Sequence, residues 1–135
     1  YIYFFNKKLS LVKMKFPKGT LELATSQAMK SIMTHKHGAV IWKGNTILGA
    51  GYNFHVAPPT ETKRRFSIHA ERDCLKGLRG DMIYGANLLV IRARKDGSLS
   101  HGGPCKGCRK LMKRKGIKNC YWFNEDGDVT CTHLN

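Results

Sequence analysis

Apolar residues recur at helical spacing near the start of the chain. Over residues 20–33 they fall three or four positions apart, which places four of them on one helix face: Leu21, Ala24, Ala28 and Ile32. Thr20 is a residue type that often caps a helix N-terminus, and we expect it to be the N-cap here. A polar segment over residues 34–38 interrupts the pattern, so its His35 and His37 are interpreted as loop residues rather than metal ligands.

The next segments predict a β-hairpin and a loop. Residues 39–42 and 46–53 are short apolar runs on either side of Gly44-Asn45, a turn pair typical of a hairpin. The segment 54–66 contains two adjacent prolines, which disfavour regular structure, so we expect a loop there.

The second half of the chain predicts two more helices around a buried strand. Residues 86–93 form the most hydrophobic run, which is typical of a central strand. Residues 69–78 have a helical pattern, and Gly77 and Gly80 are expected to mark the end of that helix. A third helix is expected to begin at Pro104, because proline suits the first helical turn.

The C-terminal segments predict a second hairpin. Apolar runs over residues 117–123 and 129–134 flank Asp126-Gly127, another favourable turn pair. We therefore expect the last two strands to be antiparallel neighbours.

Two short motifs combine the residue types of a catalytic zinc site. His69 and Glu71 are two positions apart, and Cys105 and Cys108 form a proline-led Cys-x-x-Cys pair. Catalytic zinc takes three protein ligands and keeps one position open, so the imidazole and the two thiolates predict a Zn²⁺ site. Glu71 then remains as a carboxylate that can transfer protons for the bound water.

This pairing of H-x-E with P-C-x-x-C resembles the signature of the cytidine and deoxycytidylate deaminase superfamily, over about residues 20–135. The resemblance implies an α/β, three-layer α-β-α cytidine deaminase-like fold with a mixed five-stranded sheet. It implies that zinc-activated water attacks C4 of cytosine while Glu71 moves protons to N3 and to the departing ammonia. It also implies that the backbone N–H of Ala70 holds the base carbonyl.

The resemblance further suggests substrate contacts around the motifs. In the superfamily an Asn after a Gly-aromatic pair contacts the sugar, and Gly51-Tyr52-Asn53 matches this pattern, although Asn53 is alternatively just the end of a strand. Most members have Ser or Glu before Pro-Cys, whereas this chain has His101-Gly102-Gly103, which is expected to add flexibility. His101 is a candidate for lining the pocket.

The predicted final hairpin indicates a branch of the superfamily. Antiparallel last strands occur in the branch that includes free-nucleoside deaminases and several toxin deaminases. In the deoxycytidylate, tRNA-adenosine and animal DNA-deaminase branches, a helix separates these strands and makes them parallel.

The charge of the chain favours a polyanionic partner. Lys and Arg number 24 against 9 Asp and Glu, a formal net charge of +15. Such a field attracts nucleic acid. The predicted contacts are Phe54, for stacking on a base, and two clusters of basic residues: Lys63, Arg64 and Arg65 before the H-x-E motif, and Lys106, Arg109 and Lys110 after the first cysteine. The alternative is a merely solvated basic surface.

Four functions are compatible with these residues. The leading hypothesis is deamination of cytosine in a polynucleotide, with DNA favoured over RNA. The second is deamination of free cytidine or deoxycytidylate, which a flat salt response would favour. Adenosine deamination in tRNA is third, and the predicted hairpin argues against it. A zinc-stabilised nucleic-acid-binding module without turnover is fourth, and the spare Glu71 argues against it.

The remaining expectations concern the whole chain. Residues 1–15 are interpreted as a leader, and residues 16–135 as a single zinc deaminase domain. With two of the five cysteines assigned to zinc, the odd remainder favours buried free thiols at Cys74, Cys120 and Cys131 and a reducing compartment. We therefore expect a cytoplasmic protein, or a toxin domain delivered into a target cell. No apolar run reaches the about 20 residues of a membrane span, and the high charge favours a monomer.

Overall fold

The computed structural model describes residues 16–56 and 66–134. The helices in this part of the chain are α1 (Thr20–Met29), α2 (Ala70–Leu75), α3 (Gly80–Ile83) and α4 (Lys106–Arg114). The strands are β1 (Lys36–Lys43), β2 (Thr46–Tyr52), β3 (Phe54–Val56), β4 (Phe66–Ile68), β5 (Asn87–Ala93), β6 (Leu99–Ser100), β7 (Asn119–Phe123) and β8 (Val129–His133).

The main sheet has the strand order β2-β1-β5-β7-β8, and the two-residue strand β6 also pairs with β5. β5 is parallel to β7, and the other pairs are antiparallel. The prediction of a mixed sheet with a central 86–93 strand and an antiparallel final hairpin is therefore confirmed. β3 and β4 form a separate two-stranded ribbon.

Both faces of the sheet are covered by helices, which gives three layers. Alternate residues of the central strands contribute to two separate cores. Val40 and Leu89 belong to the core that contains the apolar face of α1. Ala39 and Leu88 belong to the core that contains residues of α2 and α4. This double burial explains why the central strands are apolar without alternation.

Gly38 sets how closely α1 approaches β1. A Cβ at this position would overlap the carbonyl oxygen of Ala24 and lie 2.8 Å from the nitrogen of Ala28. Both are backbone atoms of α1, so a side-chain rotation cannot relieve the clash.

We predict that Gly38→Ala lowers the free energy of unfolding by about 3 kcal/mol, because α1 must shift from the sheet. Urea denaturation monitored by circular dichroism measures the change. Gly80→Ala is the matched control, because a Cβ there meets no atom within 4 Å and φ is not positive. Equal stability of the two variants would contradict the close approach of α1.

Helix α1 differs from its sequence prediction at both ends. It ends at Met29 rather than at residue 33, and Ile32 is 89% exposed instead of belonging to the apolar face. The amides of Lys30 and Ser31 bond to carbonyls only three residues back, which tightens and terminates the helix. The N-cap is Gly19, with φ of 84°, whereas the hydroxyl of Thr20 donates to the Pro17 carbonyl.

Three other boundaries correct the predictions. The helix predicted over residues 69–78 ends at Leu75, and Gly80 begins helix α3 instead of marking an end. The ends of the predicted 54–66 loop pair as strands β3 and β4. Pro104 precedes the N-cap residue of α4, so it lies outside the first turn.

The five cysteines are free thiols. Cys74 and Cys120 are buried, as expected, whereas Cys131 is only partly buried. Cys120 is opposite Thr132 and Cys131 is opposite Tyr121, so the register does not pair the two thiols. Among the described residues, no helix has the length and apolarity needed to cross a membrane.

Candidate functional site

His69 and Glu71 are presented by the start of α2. His69 is the N-cap residue, with an extended backbone, and its carbonyl accepts the amide of Asp73 at 3.0 Å. Because the N-cap lies outside the helical spiral, His69 and Glu71 are not constrained to opposite helix faces. The imidazole is exposed, whereas Glu71 is only 4% exposed.

The two cysteines are presented by the start of α4. Cys105 is the N-cap residue, and its Sγ accepts the amide of Cys108 at 3.4 Å. Cys108 lies in the first turn and is buried. The Nδ1 atom of His69 lies 3.5 Å from the Sγ of Cys105 and 3.3 Å from the Sγ of Cys108. Two separate helix N-termini therefore meet at one point.

These distances fit a tetrahedral zinc site. Zn–S bonds of about 2.3 Å and Zn–N bonds of about 2.05 Å at a tetrahedral angle place the S and N atoms about 3.6 Å apart. All three ligand atoms lie within 4.8 Å of one another. Within the described residues, no fourth His, Cys, Asp or Glu joins this group. The residues thus suit a metal ion with one open coordination position.

Burial controls the protonation of the thiols. It raises the pKa of Cys108 above its usual range, and the nearby charge of Glu71 raises it further. A bound cation would reverse this effect, because a coordinating thiol is deprotonated. Burial also raises the pKa of Cys74 and Cys120, which keeps these core thiols protonated and unreactive.

A cavity of about 330 Å³ opens next to this group. Its lining includes the candidate metal ligands His69 and Cys105 together with Ala70 and Glu71. Glu71 is the only acidic residue among the described residues that line it. The carboxylate of Glu71 and two of the candidate metal ligands therefore share one cavity.

No family model and no curated protein matches the chain. Solved structures do match it. A cytidine deaminase from Burkholderia pseudomallei aligns with a TM-score of 0.63 at 21% identity, over 86% of this chain and 91% of that one. The apo dCMP deaminase of cyanophage S-TIM5 aligns with a TM-score of 0.55 at 24% identity, over 79% of this chain and 81% of that one. The chain has a cytidine deaminase-like fold.

Within this deaminase-like fold, Asn53 lines the cavity but its amide is held by the backbone. Its Oδ1 accepts the N–H of His37 at 2.8 Å, and its Nδ2 donates to the carbonyl of His35 at 2.7 Å. The residue is 5% exposed. Asn53 therefore connects the end of β2 to the start of β1, a role that the prediction of a sugar contact did not include.

Two histidines that sequence reasoning assigned to a loop line the cavity: His35 and His37. His37 lies in β1, which begins at Lys36, and His35 directly precedes that strand. Burial lowers the pKa of His37 to about 4, and the positive charge of Arg92 contributes. The sequence carried no local signal for this position, because the β1–β2 register shifts between Ile41 and Trp42 and the turn alone does not predict that shift.

The β3–β4 ribbon explains why Phe54 is absent from the cavity lining. Alternate side chains of a strand point to opposite faces. His55 and Ser67 line the first cavity together with His69 and Cys105. Phe54 and Ile68 instead line a second cavity of about 390 Å³, whose other lining residues include Arg72, Lys76 and Lys115.

The remaining predicted substrate and nucleic-acid contacts do not line the cavity among the described residues. His101 is exposed and is not among the residues that line the cavity. The cations Lys106, Arg109 and Lys110 are exposed on α4. Lys63, Arg64 and Arg65 lie outside the described residues.

The glycines before Pro104 lie against the final hairpin, and the expectation of added flexibility there stays a prediction. Gly102 donates its N–H to the carbonyl of Phe123 at 3.0 Å. A Cβ on Gly103 would lie 3.0 Å from the indole ring of Trp122, whose Nε1 donates to the Thr132 hydroxyl. Glycine at position 103 therefore lets the backbone before Cys105 lie against the indole.

Proposed function

We propose that this chain is a zinc-dependent hydrolytic deaminase that converts cytosine to uracil. The observation that carries the proposal is the convergence of the His69 imidazole and the Cys105 and Cys108 thiols, with the buried carboxylate of Glu71 in the adjoining cavity. The similarity to cytidine and dCMP deaminase structures supports the same chemistry. A purely structural zinc site would have four protein ligands and no need of a buried acid.

The residues have separable roles in this reaction. His69, Cys105 and Cys108 would hold Zn²⁺, which lowers the pKa of water from about 16 to about 7. Glu71 accepts a proton from the attacking water and delivers it to N3 of cytosine, as the water oxygen bonds to C4. Glu71 then passes the second water proton to the amino group, which leaves as ammonia when the C4–N bond breaks. The backbone N–H of Ala70 donates to the base carbonyl.

For the substrate, we propose cytosine within a polynucleotide, with DNA favoured over RNA. Helix α4 starts directly after Cys105, and the basic residues on it are exposed: Lys106, Arg109, Lys110, Lys113 and Arg114. None of them forms a salt bridge with another described residue. A cationic surface that begins at the metal site suits a phosphate backbone that continues beyond the target base.

Free cytidine or deoxycytidylate is the second candidate substrate. The two similar solved structures are a cytidine deaminase and a dCMP deaminase, and they fit this candidate as well as the first. The antiparallel β7–β8 hairpin fits the branch that includes free-nucleoside deaminases, so it favours cytidine within this candidate and argues against the deoxycytidylate and tRNA-adenosine branches.

A substrate panel tests the proposal. We expect uracil to form in single-stranded DNA, and we expect kcat/KM to fall steeply with salt, because phosphate binding releases counterions. The panel also contains duplex DNA, RNA, cytidine and dCMP. A flat salt response with efficient turnover of cytidine or dCMP would establish the second candidate. Bound zinc and tight DNA binding with no turnover of any substrate would indicate a binding module.

A pair of double variants tests the role of α4. Lys106→Ala with Lys110→Ala is expected to weaken DNA binding and to reduce the salt slope by about one per lysine, with turnover of free cytidine unchanged. Lys43→Ala with Lys118→Ala removes the same charge at the end of the sheet away from His37 and is the matched control. Equal effects of the two pairs would assign the salt dependence to net charge alone.

A further inference from the structure

The side chain of His37 has its proton position fixed by Asn53. The Asn53 side-chain amide has one possible orientation. Its Oδ1 accepts the backbone N–H of His37, and its Nδ2 donates to the backbone carbonyl of His35. That Nδ2 also lies 3.4 Å from the Nδ1 of His37. An amide NH₂ only donates, so Nδ1 is the acceptor and the neutral ring carries its proton on Nε2.

The same reasoning applies to His35 through Arg92. An Nη2 atom of Arg92 lies 2.7 Å from the Nδ1 of His35. A guanidinium has donors but no acceptor, so the Nδ1 of His35 must accept. A neutral His35 therefore also carries its proton on Nε2. The cavity wall thus contains two imidazoles with the same tautomer, each set by a partner on its other nitrogen.

We propose that His35 and His37 use these Nε2–H groups to bind the sugar and phosphate oxygens attached to the target base. This inference rests on the proposed function. The metal-binding group and Glu71 must surround C4, so the wall formed by residues 33–37 faces the part of the substrate beyond the ring. His37 is half-buried and binds the sugar oxygens. His35 is exposed beside the Arg92 cation and binds the phosphate.

The surroundings suit this assignment. The lowered pKa of His37, near 4, keeps that ring a neutral donor at the pH of the assay. Asn53 and Arg92 act as positioning residues, because they fix the tautomers rather than supply the Nε2–H donors.

The kinetic test compares cytosine, cytidine and dCMP with the zinc-loaded protein. His37→Leu is expected to raise KM about tenfold or more for cytidine and dCMP, with little change for cytosine and in kcat. His35→Leu is expected to raise KM for dCMP alone. The Gln variants should restore most of the affinity, because the Gln amide N–H can replace Nε2–H. His133→Gln, on β8 and outside the cavity lining, is the control.

Equilibrium binding of uridine and dUMP to the same variants gives the same contrasts without turnover. If the wild-type protein deaminated cytidine and His37→Leu had the same KM for cytidine, the inference would be overturned and the proposed function would stand. If the wild-type protein deaminated no substrate but His35→Leu still bound dUMP more weakly than the wild type, only the proposed function would be overturned.

Nitrogen-15 NMR of the imidazoles tests the tautomers directly. We expect both His35 and His37 to be protonated at Nε2 in the zinc-loaded protein. Asn53→Asp places an acceptor beside the Nδ1 of His37, so it should move the proton to Nδ1 and reduce uridine affinity as His37→Leu does. A wild-type His37 protonated at Nδ1 would refute the assignment.

Discussion

Replacing Glu71 with Gln is expected to lower kcat by about 10²- to 10⁴-fold while one zinc ion per chain remains bound. Gln keeps the size of the side chain, but its amide cannot accept the proton of the attacking water. Glu71 is outside the group of residues that converge on the metal position, so zinc binding is expected to persist. Steady-state deamination, together with zinc analysis by mass spectrometry, measures both properties.

Two controls separate proton transfer from folding in this prediction. Glu125→Gln removes the same charge from an exposed turn and should leave kcat unchanged. The melting temperature of Glu71→Gln should not fall, because a neutral amide costs less to bury than a carboxylate. Turnover by Glu71→Gln near the wild-type rate would remove Glu71 from the mechanism.

The convergence of His69, Cys105 and Cys108 was predictable because each half of the group is local in sequence. His69 and Glu71 are two positions apart, and Cys105 and Cys108 are three apart, so each pair needs only one helix N-terminus to position it. The hydrophobic runs then place α2 and α4 on the same face of the sheet, where the two pairs meet. Spacing within a pair and the order of strands together determine the site.

The wall of the cavity was not predictable in the same way. The sequence segment around His35 and His37 is polar and short, which is typical of a loop, and nothing local shows that Asn53 will fix it. The exposure of Ile32 was also not predicted, since its apolar character fits the helix period while α1 ends before it. The Asn53 bonds are a tertiary contact that overrides the local pattern, whereas α1 ends before Ile32 through local bonds that reach only three residues back.

The two helices that present the candidate metal ligands begin in a way that departs from ordinary capping. Ser, Thr, Asp and Asn are preferred at N-caps, but α2 has His69 and α4 has Cys105 at that position. His69 makes no side-chain capping bond, whereas the Sγ of Cys105 accepts one amide. Departures from local preference are expected at functional sites, where ligand geometry takes precedence over helix stability.

Replacing Cys108 with Ser is expected to abolish both zinc retention and deamination. Cys108 is buried and its Sγ lies 3.3 Å from the Nδ1 of His69, so its loss leaves only two of the three ligands. A serine hydroxyl is a poor replacement for a thiolate that zinc deprotonates. After dialysis, the variant should contain almost no zinc, whereas the wild-type protein should contain one ion per chain.

The same variant should lose the contribution of zinc to stability. Free zinc at about a thousand times its Kd stabilises a folded protein by about 4 kcal/mol, so a chelator should lower the melting temperature of the wild type. Added zinc should restore it, and neither treatment should affect Cys108→Ser. Cys131→Ser, which changes a partly buried thiol outside the metal-binding group, is the control and should respond as the wild type does. If Cys108→Ser retained zinc and the chelator response, the ion would be held by other residues and the proposed site would be wrong.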